Sequence, residues 1–271
     1  MVRQRQEGFL IVFALSVALG ALTAFGQTAR EPSDREYEVG AILWQQSSGE
    51  YRALCHQAFA LGRILLDRDL RNHRIRQHRA IIVDVDETIM DSSHYQARLV
   101  KERTNYPEGL TEWIDRAEAP AVPGAVEFLR YAASRGVRVF YVTNRIPVEK
   151  DGTARNLKKL GFPQVDDQSL LTSPGPRSVS KEPRRNAVSA KYHVVLLMGD
   201  DLNDLAKVFE DSKTVESRIA AADHFKDQFG KRFIVLPNAM YGNWDNAILG
   251  YNFKLSEAEK AAKRKNQLKS N

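Results

Sequence analysis

Three short segments hold the residues best suited to chemistry. Asp84-Val85-Asp86-Glu87-Thr88 follows the apolar run Ala80–Val83. Thr143-Asn144-Arg145 follows Val137–Val142, and Gly199-Asp200-Asp201-Leu202-Asn203-Asp204 follows His193–Met198. A lone Asp after such a run is normally a turn residue or a helix cap, and Asp211 and Asp223 are read that way. Clusters of acids after separate runs are harder to dismiss. Brought together they would repel one another unless a cation sat among them. A hard divalent ion resolves that repulsion, and Mg²⁺ is the common choice: octahedral, oxygen-liganded and able to keep several waters.

The elements that would bring them together are legible in the periodicity. Ala80–Val83, Val137–Val142, His193–Met198 and Phe233–Leu236 are short and rich in β-branched residues, as strands buried on both faces are. Between them run helical stretches. Pro123–Tyr131 begins with Pro and is followed by Gly136, and Thr153–Leu160 stops before Gly161. Glu50–Leu70 repeats Leu54, Ala58, Leu61 and Leu65 at helical spacing. The Cys55 within it reads as a buried, inert thiol. Strands alternating with helices predict a doubly wound, mostly parallel α/β sheet. Ligands bind such sheets at the carboxyl ends of the strands, where all three acidic or hydroxyl segments stand. Glu102–Pro120 has no strand pattern and reads as an insert beside the first strand.

Composition sets the outer limits. Among 271 residues, 43% are hydrophobic and 27% charged, which excludes a mainly disordered chain. A single Cys excludes a disulfide framework or a Cys-rich zinc site. Arg3 and Arg5 precede the uncharged run Phe9–Phe25, and Ala24-Phe25-Gly26 offers small residues for cleavage before Gln27. This predicts a signal peptide over residues 1–26, with an uncleaved anchor as the alternative. No Cys follows the cleavage site, so a lipid anchor is not expected. The protein is expected in the periplasm or outside the cell, without stable membrane insertion after cleavage. Gln27–Asp34 reads as a linker. Most of the net charge of +6 lies in Lys254–Asn271, where six Lys and Arg stand against Glu257 and Glu259. That tail reads as a solvated, fraying helix, with contact to an anionic surface as the sharper alternative. The nearly neutral body gives no case for nucleic-acid binding.

Asp84-x-Asp86-x-Thr88, then Thr143 after a second strand, a basic residue, and Gly199-Asp200-x-x-x-Asp204 resemble the haloacid dehalogenase (HAD) superfamily of phosphotransferases. Trp44-Gln45-Gln46-Ser47, Ala121–Phe128, Val139–Arg145, Leu160-Gly161-Phe162 and Phe233–Trp244 are similar to the class C bacterial acid phosphatases, some of which act as 5′-nucleotidases. The resemblance spans about Leu43 to Asn252. It implies a HAD-like domain over 27–253, with a small helical cap from about 35–75 and 92–120. It also implies a phosphomonoester substrate, Mg²⁺ as cofactor and an aspartyl-phosphate intermediate.

The resemblance assigns the roles. Asp84 is the nucleophile and Asp86 the general acid and base. Superfamily members that preserve the acyl-phosphate carry Thr at the Asp86 position, so Asp86 favours a phosphatase. The Asp84 carboxylate, the Asp86 carbonyl and the Asp200 carboxylate hold the metal. Thr88, Asp201 and Asp204 support it, although the family usually has Asn where Asp201 stands. Thr143 binds a phosphoryl oxygen, and Lys181, with Lys191 as fallback, stabilises the intermediate. Asn144, Arg145, Tyr95, Tyr241 and Trp244 are expected to face the substrate, Tyr241 and Trp244 by stacking. His94 is near enough to touch it. Leu110 stands where nucleotidase members carry Trp, which implies broad rather than nucleotide-dedicated hydrolysis. Phosphotransfer to an alcohol or nucleoside, a non-catalytic storage role and homo-oligomerisation all stay open.

Overall fold

The computed structural model describes residues 35–177 and 179–270. The expected signal peptide and the linker Gln27–Asp34 lie outside them. In chain order the elements are α1 (Glu36–Ser47), α2 (Gly49–Leu70), β1 (Arg79–Val83), α3 (Ser93–Glu102), α4 (Leu110–Arg116), α5 (Ala125–Ser134), β2 (Arg138–Val142) and α6 (Lys150–Leu160). Then come β3 (Leu170–Leu171), α7 (Glu182–Ser189), β4 (His193–Gly199), α8 (Lys207–Asp211), α9 (Val215–His224), β5 (Phe233–Val235), α10 (Asn243–Ile248) and α11 (Glu257–Gln267). Among the described residues, no helix is long and apolar enough to cross a membrane.

The five strands form one fully parallel sheet in the order β3-β2-β1-β4-β5. The chain winds outward from β1 through β2 to β3, then returns to β4 on the other side of β1. The order therefore reverses between β1 and β4, where open α/β sheets bind ligands. It also sets β1 between the two other strands whose ends carry chemical residues. Neighbouring strands lie about 4.8 Å apart, so three segments distant in sequence converge on one rim.

Side chains alternate across the sheet and both faces are covered. Ile81, Val83, Val139 and Tyr141 pack with Phe59 and Leu66 of α2 and Phe128 and Leu129 of α5. Ala80, Ile82, Phe140 and Val142 pack with Val188, Phe209 and Ala221 on the opposite face. Cys55 is fully buried in the first layer, and burial pushes its thiol up to about 11.

Of the two segments expected to form a cap, α1 lies against α3, while α2 packs on the sheet and α5. Gln45 Nε2 donates to Asp91 Oδ1 (2.7 Å), Gln46 Nε2 to Ser93 Oγ (3.1 Å) and Arg35 Nη2 to Gln96 Oε1 (3.1 Å). The region read as an insert without strand pattern holds α3 and α4. Asn156 pins the chain just beyond α4 to α6 by exchanging two 2.9 Å hydrogen bonds with the Ala119 backbone. Strand β3 carries no sequence signal because two residues are too few to show a period. The tail differs from its expected solvated state. Arg264 donates twice to Asp245 at 2.8 Å and lies 3.5 Å from the centre of the Tyr37 ring, docking α11 on α10 and α1.

Gly199 ends β4 where the chain must pass close beneath Asp204. A Cβ there would sit 2.4 Å from the Asp204 Cβ, a distance real carbons do not adopt. Gly199→Ala is expected to cost about 1–3 kcal/mol of stability, measured by chemical denaturation. A loss below about 0.5 kcal/mol, the range of a neutral surface change, would show that the loop yields freely.

Candidate active site

Asp84 directly follows β1. Its backbone N–H still donates to the Met198 carbonyl of β4 at 2.9 Å, so the carboxyl emerges at the strand tip, 7% exposed. Lys181, just before α7, reaches the same point. Its Nζ donates to Asp84 Oδ1, and it pairs with Asp204 Oδ1 at 2.7 Å. Asp204 Oδ2 accepts the Asp201 N–H at 3.1 Å, closing the short turn after β4. Asp200 accepts from Thr88 Oγ1 (3.0 Å) and from Asn238 Nδ2 (2.8 Å). One carboxylate oxygen from each of Asp84, Asp200 and Asp204 lies within 4.8 Å of the others.

The electrostatics follow from that crowding. Burial raises the Asp84 carboxyl to about 7, opposed by Lys181 and helped by repulsion from Asp204 and Asp86. Asp204 is pushed up by burial, against Lys181, and Asp200 is pushed well up by burial and then by Asp204 and Asp84. For Lys181, burial lowers the ammonium but Asp204 and Asp84 outweigh it, and the net direction is upward. One cation thus serves Asp84 and Asp204, while Asp200 has only the neutral donors Thr88 and Asn238. Three carboxylates against one ammonium leave two negative charges uncompensated when ionised, and hard oxygen donors with that deficit fit a divalent cation.

The Asp86 carboxylate is gripped at both oxygens by Arg145, through Nη2 at 2.7 Å and Nε at 3.1 Å. Burial opposes the guanidinium's charge, and Asp86 outweighs it, holding Arg145 above its ordinary value. Arg145 is fixed in turn by Thr153 Oγ1 at 3.0 Å, and its N–H donates to Thr143 Oγ1 at 3.1 Å. The Thr143 hydroxyl proton is therefore free for another acceptor. Arg184 donates to the Thr143 and Leu171 carbonyls and to Asn144 Oδ1 (2.8 Å), bracing the loop after β2.

Other expected site residues have different surroundings. Asp201 accepts from Arg218 Nη2 (3.2 Å) and from Asn243 N (2.6 Å) and Nδ2 (3.1 Å), tying the β4 loop to α10. The Tyr241 hydroxyl donates to the buried Glu87 carboxylate, which also accepts the Ser92 N–H (2.8 Å) and hydroxyl. Burial, with repulsion from Asp86, raises Glu87 to about 8. Trp244 is 43% exposed, and its Nε1 donates to the Tyr241 carbonyl. Tyr95 is buried, packs at a tilt against Trp113 and donates its hydroxyl to the Glu108 carbonyl, within the packing of α3 and α4. Leu110 is buried in the same packing. His94 is exposed. Lys191 is exposed just before β4, at the opposite edge of the sheet from Lys181.

Sequence reasoning missed Glu87 as the hub joining the catalytic loop to Tyr241, although it lies inside the Asp84–Thr88 motif. It also missed Thr153, Arg218 and the Glu149 carboxylate, which accepts from Thr111 (2.8 Å), the Ile146 N–H (2.9 Å) and Arg177. No local pattern announces these partners, because each meets its acceptor only in the folded chain.

A family model for HAD superfamily subfamily IIIB, the acid phosphatases, matches residues 16–244. The chain belongs to that family. It is also similar to the class C acid phosphatase from Bacillus anthracis, with 39% identity over 88% of this chain and 99% of that one, at a TM-score of 0.83. The same enzyme with tungstate bound gives 40% identity, 88% and 98% coverage, and a TM-score of 0.83. Among curated relatives is the stem 31 kDa glycoprotein of Glycine max, 25% identical over 136 residues; the chain spans about half of that protein's length, 54%.

The uncompensated Asp200 generates a prediction. In the metal-free protein, Asp200→Asn removes a half-buried charge without a cationic partner, so the melting temperature should rise by a few degrees. The gain should be present at neutral pH. It should shrink as pH falls from the raised Asp200 value toward the ordinary carboxylate range, where the wild-type group also becomes neutral. Stabilisation by added divalent cation should disappear in the variant. Thermal melts across pH, with and without cation, measure all three. A metal-free variant less stable than wild type at neutral pH would contradict the charge balance described.

Proposed function

We propose that this chain is a Mg²⁺-dependent phosphatase that hydrolyses small phosphomonoesters through an aspartyl-phosphate on Asp84. The observation that carries the reading is Lys181 joined to both Asp84 and Asp204 beside the uncompensated Asp200. That the similar Bacillus anthracis enzyme has been solved with tungstate bound supports a tetrahedral oxyanion as ligand.

The Asp84 carboxylate forms a bond to phosphorus as the bond to the leaving oxygen breaks, and Asp86 gives that oxygen its proton. Asp86 then takes a proton from water, whose oxygen displaces phosphate from Asp84 and regenerates both groups. Arg145 keeps Asp86 at one position through both steps. The Thr143 hydroxyl donates to a phosphoryl oxygen. Lys181 offsets the charge on Asp84 and Asp204. When bound by the carboxylates of Asp84 and Asp200 and the carbonyl of Asp86, Mg²⁺ supplies charge neutralisation at the phosphoryl oxygens.

Specificity is read as broad. Tyr95 and Leu110 are committed to packing, which leaves Tyr241 and Trp244 beside the carboxylates for the organic group. A base stack is worth about 1–3 kcal/mol, so losing one weakens selection for nucleotides. The complete carboxylate set with its lysine speaks against a storage role. Export through the leader at residues 1–26 is part of the proposal, and N-terminal sequencing of protein recovered outside the cytoplasm should start at or near Gln27.

Asp84→Asn should abolish turnover with the fold retained, and Asp86→Asn should lower it by about 10²–10⁴-fold, the usual contribution of a general acid. Chelation should remove activity and Mg²⁺ should restore it. Near-normal turnover by purified, folded Asp84→Asn protein would end this mechanism. Across a nucleoside monophosphate, an aryl phosphate and glycerol phosphate, kcat/KM values should agree within about a hundredfold. Product analysis with an added nucleoside separates hydrolysis from phosphotransfer.

A further inference from the structure

The near-neutral body conceals a separation of charge. All five strands run the same way, so their starts share one edge, opposite the carboxylate rim. That edge is basic. Arg76 and Arg79 lead into β1, Arg135 and Arg138 into β2, Lys191 into β4, and Lys231 and Arg232 into β5. The turn from α2 into β1 adds Arg68, Arg71 and Arg74, together with the exposed His73 and His78.

The acids at this edge are already engaged. Asp69 accepts from Arg79 Nε (2.6 Å) and lies 2.9 Å from His193 Nε2; Asp166 pairs with Arg138 (2.6 Å), and Asp67 accepts the Tyr131 hydroxyl. Among the described residues, Arg68, Arg71, Arg74, Arg76, Lys191 and Arg232 have no carboxylate within ion-pair distance. A hollow of about 340 Å³, lined by Asp67, Leu70, Arg71, His73 and Arg135, opens between the α2 turn and the α5 turn. Ile64, one helical turn before Arg68, is 64% exposed, and Leu61 is 37% exposed.

The geometry points to this basic edge as a docking surface for anionic phospholipid headgroups, with the active-site rim turned away from the bilayer. Unpaired arginines recognise phosphate through their planar fork, and clustered arginines at a surface are drawn to anionic lipid. Exposed Ile64 and Leu61 beside them supply the apolar component that interfacial binding uses. A nucleic-acid strand is the weaker fit: among the described residues, none of the strongly exposed Phe, Tyr or Trp rings stands at this edge for bases to stack on. A second copy across a two-fold axis would set the same arginines against each other.

The test partitions the full chain onto phosphatidylcholine vesicles with and without phosphatidylglycerol. The apolar leader contributes to both vesicle types, so the anionic-to-neutral binding ratio isolates the charge-dependent part. That ratio should exceed one at low salt and collapse as salt rises. Arg71→Glu, Arg74→Glu and Arg76→Glu combined should lower it about tenfold or more. Binding to neutral vesicles, the thermal melt and turnover of a soluble phosphomonoester should stay at wild-type levels, because these residues stand at the far edge from Asp84. The milder Arg→Gln triple provides the same comparison if charge reversal harms folding. A Lys263→Glu, Lys265→Glu and Lys269→Glu variant should retain the ratio. An unchanged ratio in both arginine triples would overturn the proposal. So would loss of the ratio in the tail variant alone, a wild-type ratio of one at low salt, or a preference for duplex DNA over anionic vesicles. Failure of phosphatase turnover in wild type would bear on the proposed reaction and leave the vesicle result standing.

Discussion

Asp84, Asp200 and Asp204 crowd three carboxyl groups, two buried and one half-buried, within a few ångströms of one another, and the Lys181 ammonium lies between two of them. Each group has given up hydration, and in a low-dielectric interior uncompensated repulsion would cost several kcal/mol. The single positive charge of the lysine is shared by two of the three carboxylates. The third is left to Thr88 and Asn238, whose hydrogen bonds are directed but neutral. The ionised cluster therefore lacks two positive charges, the charge of one divalent cation. Stability of the empty fold and readiness for a divalent ion oppose each other at the same residue.

The surrounding loops are arranged to hold this cluster in place. Three of the five strand ends are braced by an arginine drawn from elsewhere. Arg145 grips Asp86 beside β1, Arg184 holds the carbonyls and the Asn144 amide after β2, and Arg218 holds Asp201 after β4. These guanidiniums bring several donors each in fixed geometry, which suits loops whose backbone groups have left the sheet ladder. Glu87 extends the bracing to the loop after β5 through Tyr241. A side chain expected only to contact the organic part of a substrate is thereby also part of the frame of the catalytic loop.

The same parallel topology that gathers acids at one edge gathers arginines and lysines at the other. In a sheet whose strands all run one way, residues after the strands and residues before them form separate populations in space. A net charge close to zero then says little about the field at either edge.

The α/β class, four of the five strands and the main carboxylates were legible from the chain alone. Buried parallel strands read as short β-branched runs, and Asp84, Asp86, Thr143 and Asp200 directly follow them. Chain topology then delivers them to one rim without further information. What needed tertiary structure were the partners. Resemblance already favours Lys181 over Lys191, and the folded chain supplies the physical reason: one precedes α7 and meets Asp84, the other follows it and stands at the far edge. Tyr95 and Leu110 look available as residue types, yet packing of α3 against α4 buries them. Two-residue β3 is too short to show a period, and the docking of Arg264 on Asp245 and Tyr37 joins residues far apart in the chain. Local sequence sets what a residue can do within a few positions of itself. Which charges meet, and which remain uncompensated, is decided by contacts between distant segments that no local pattern encodes.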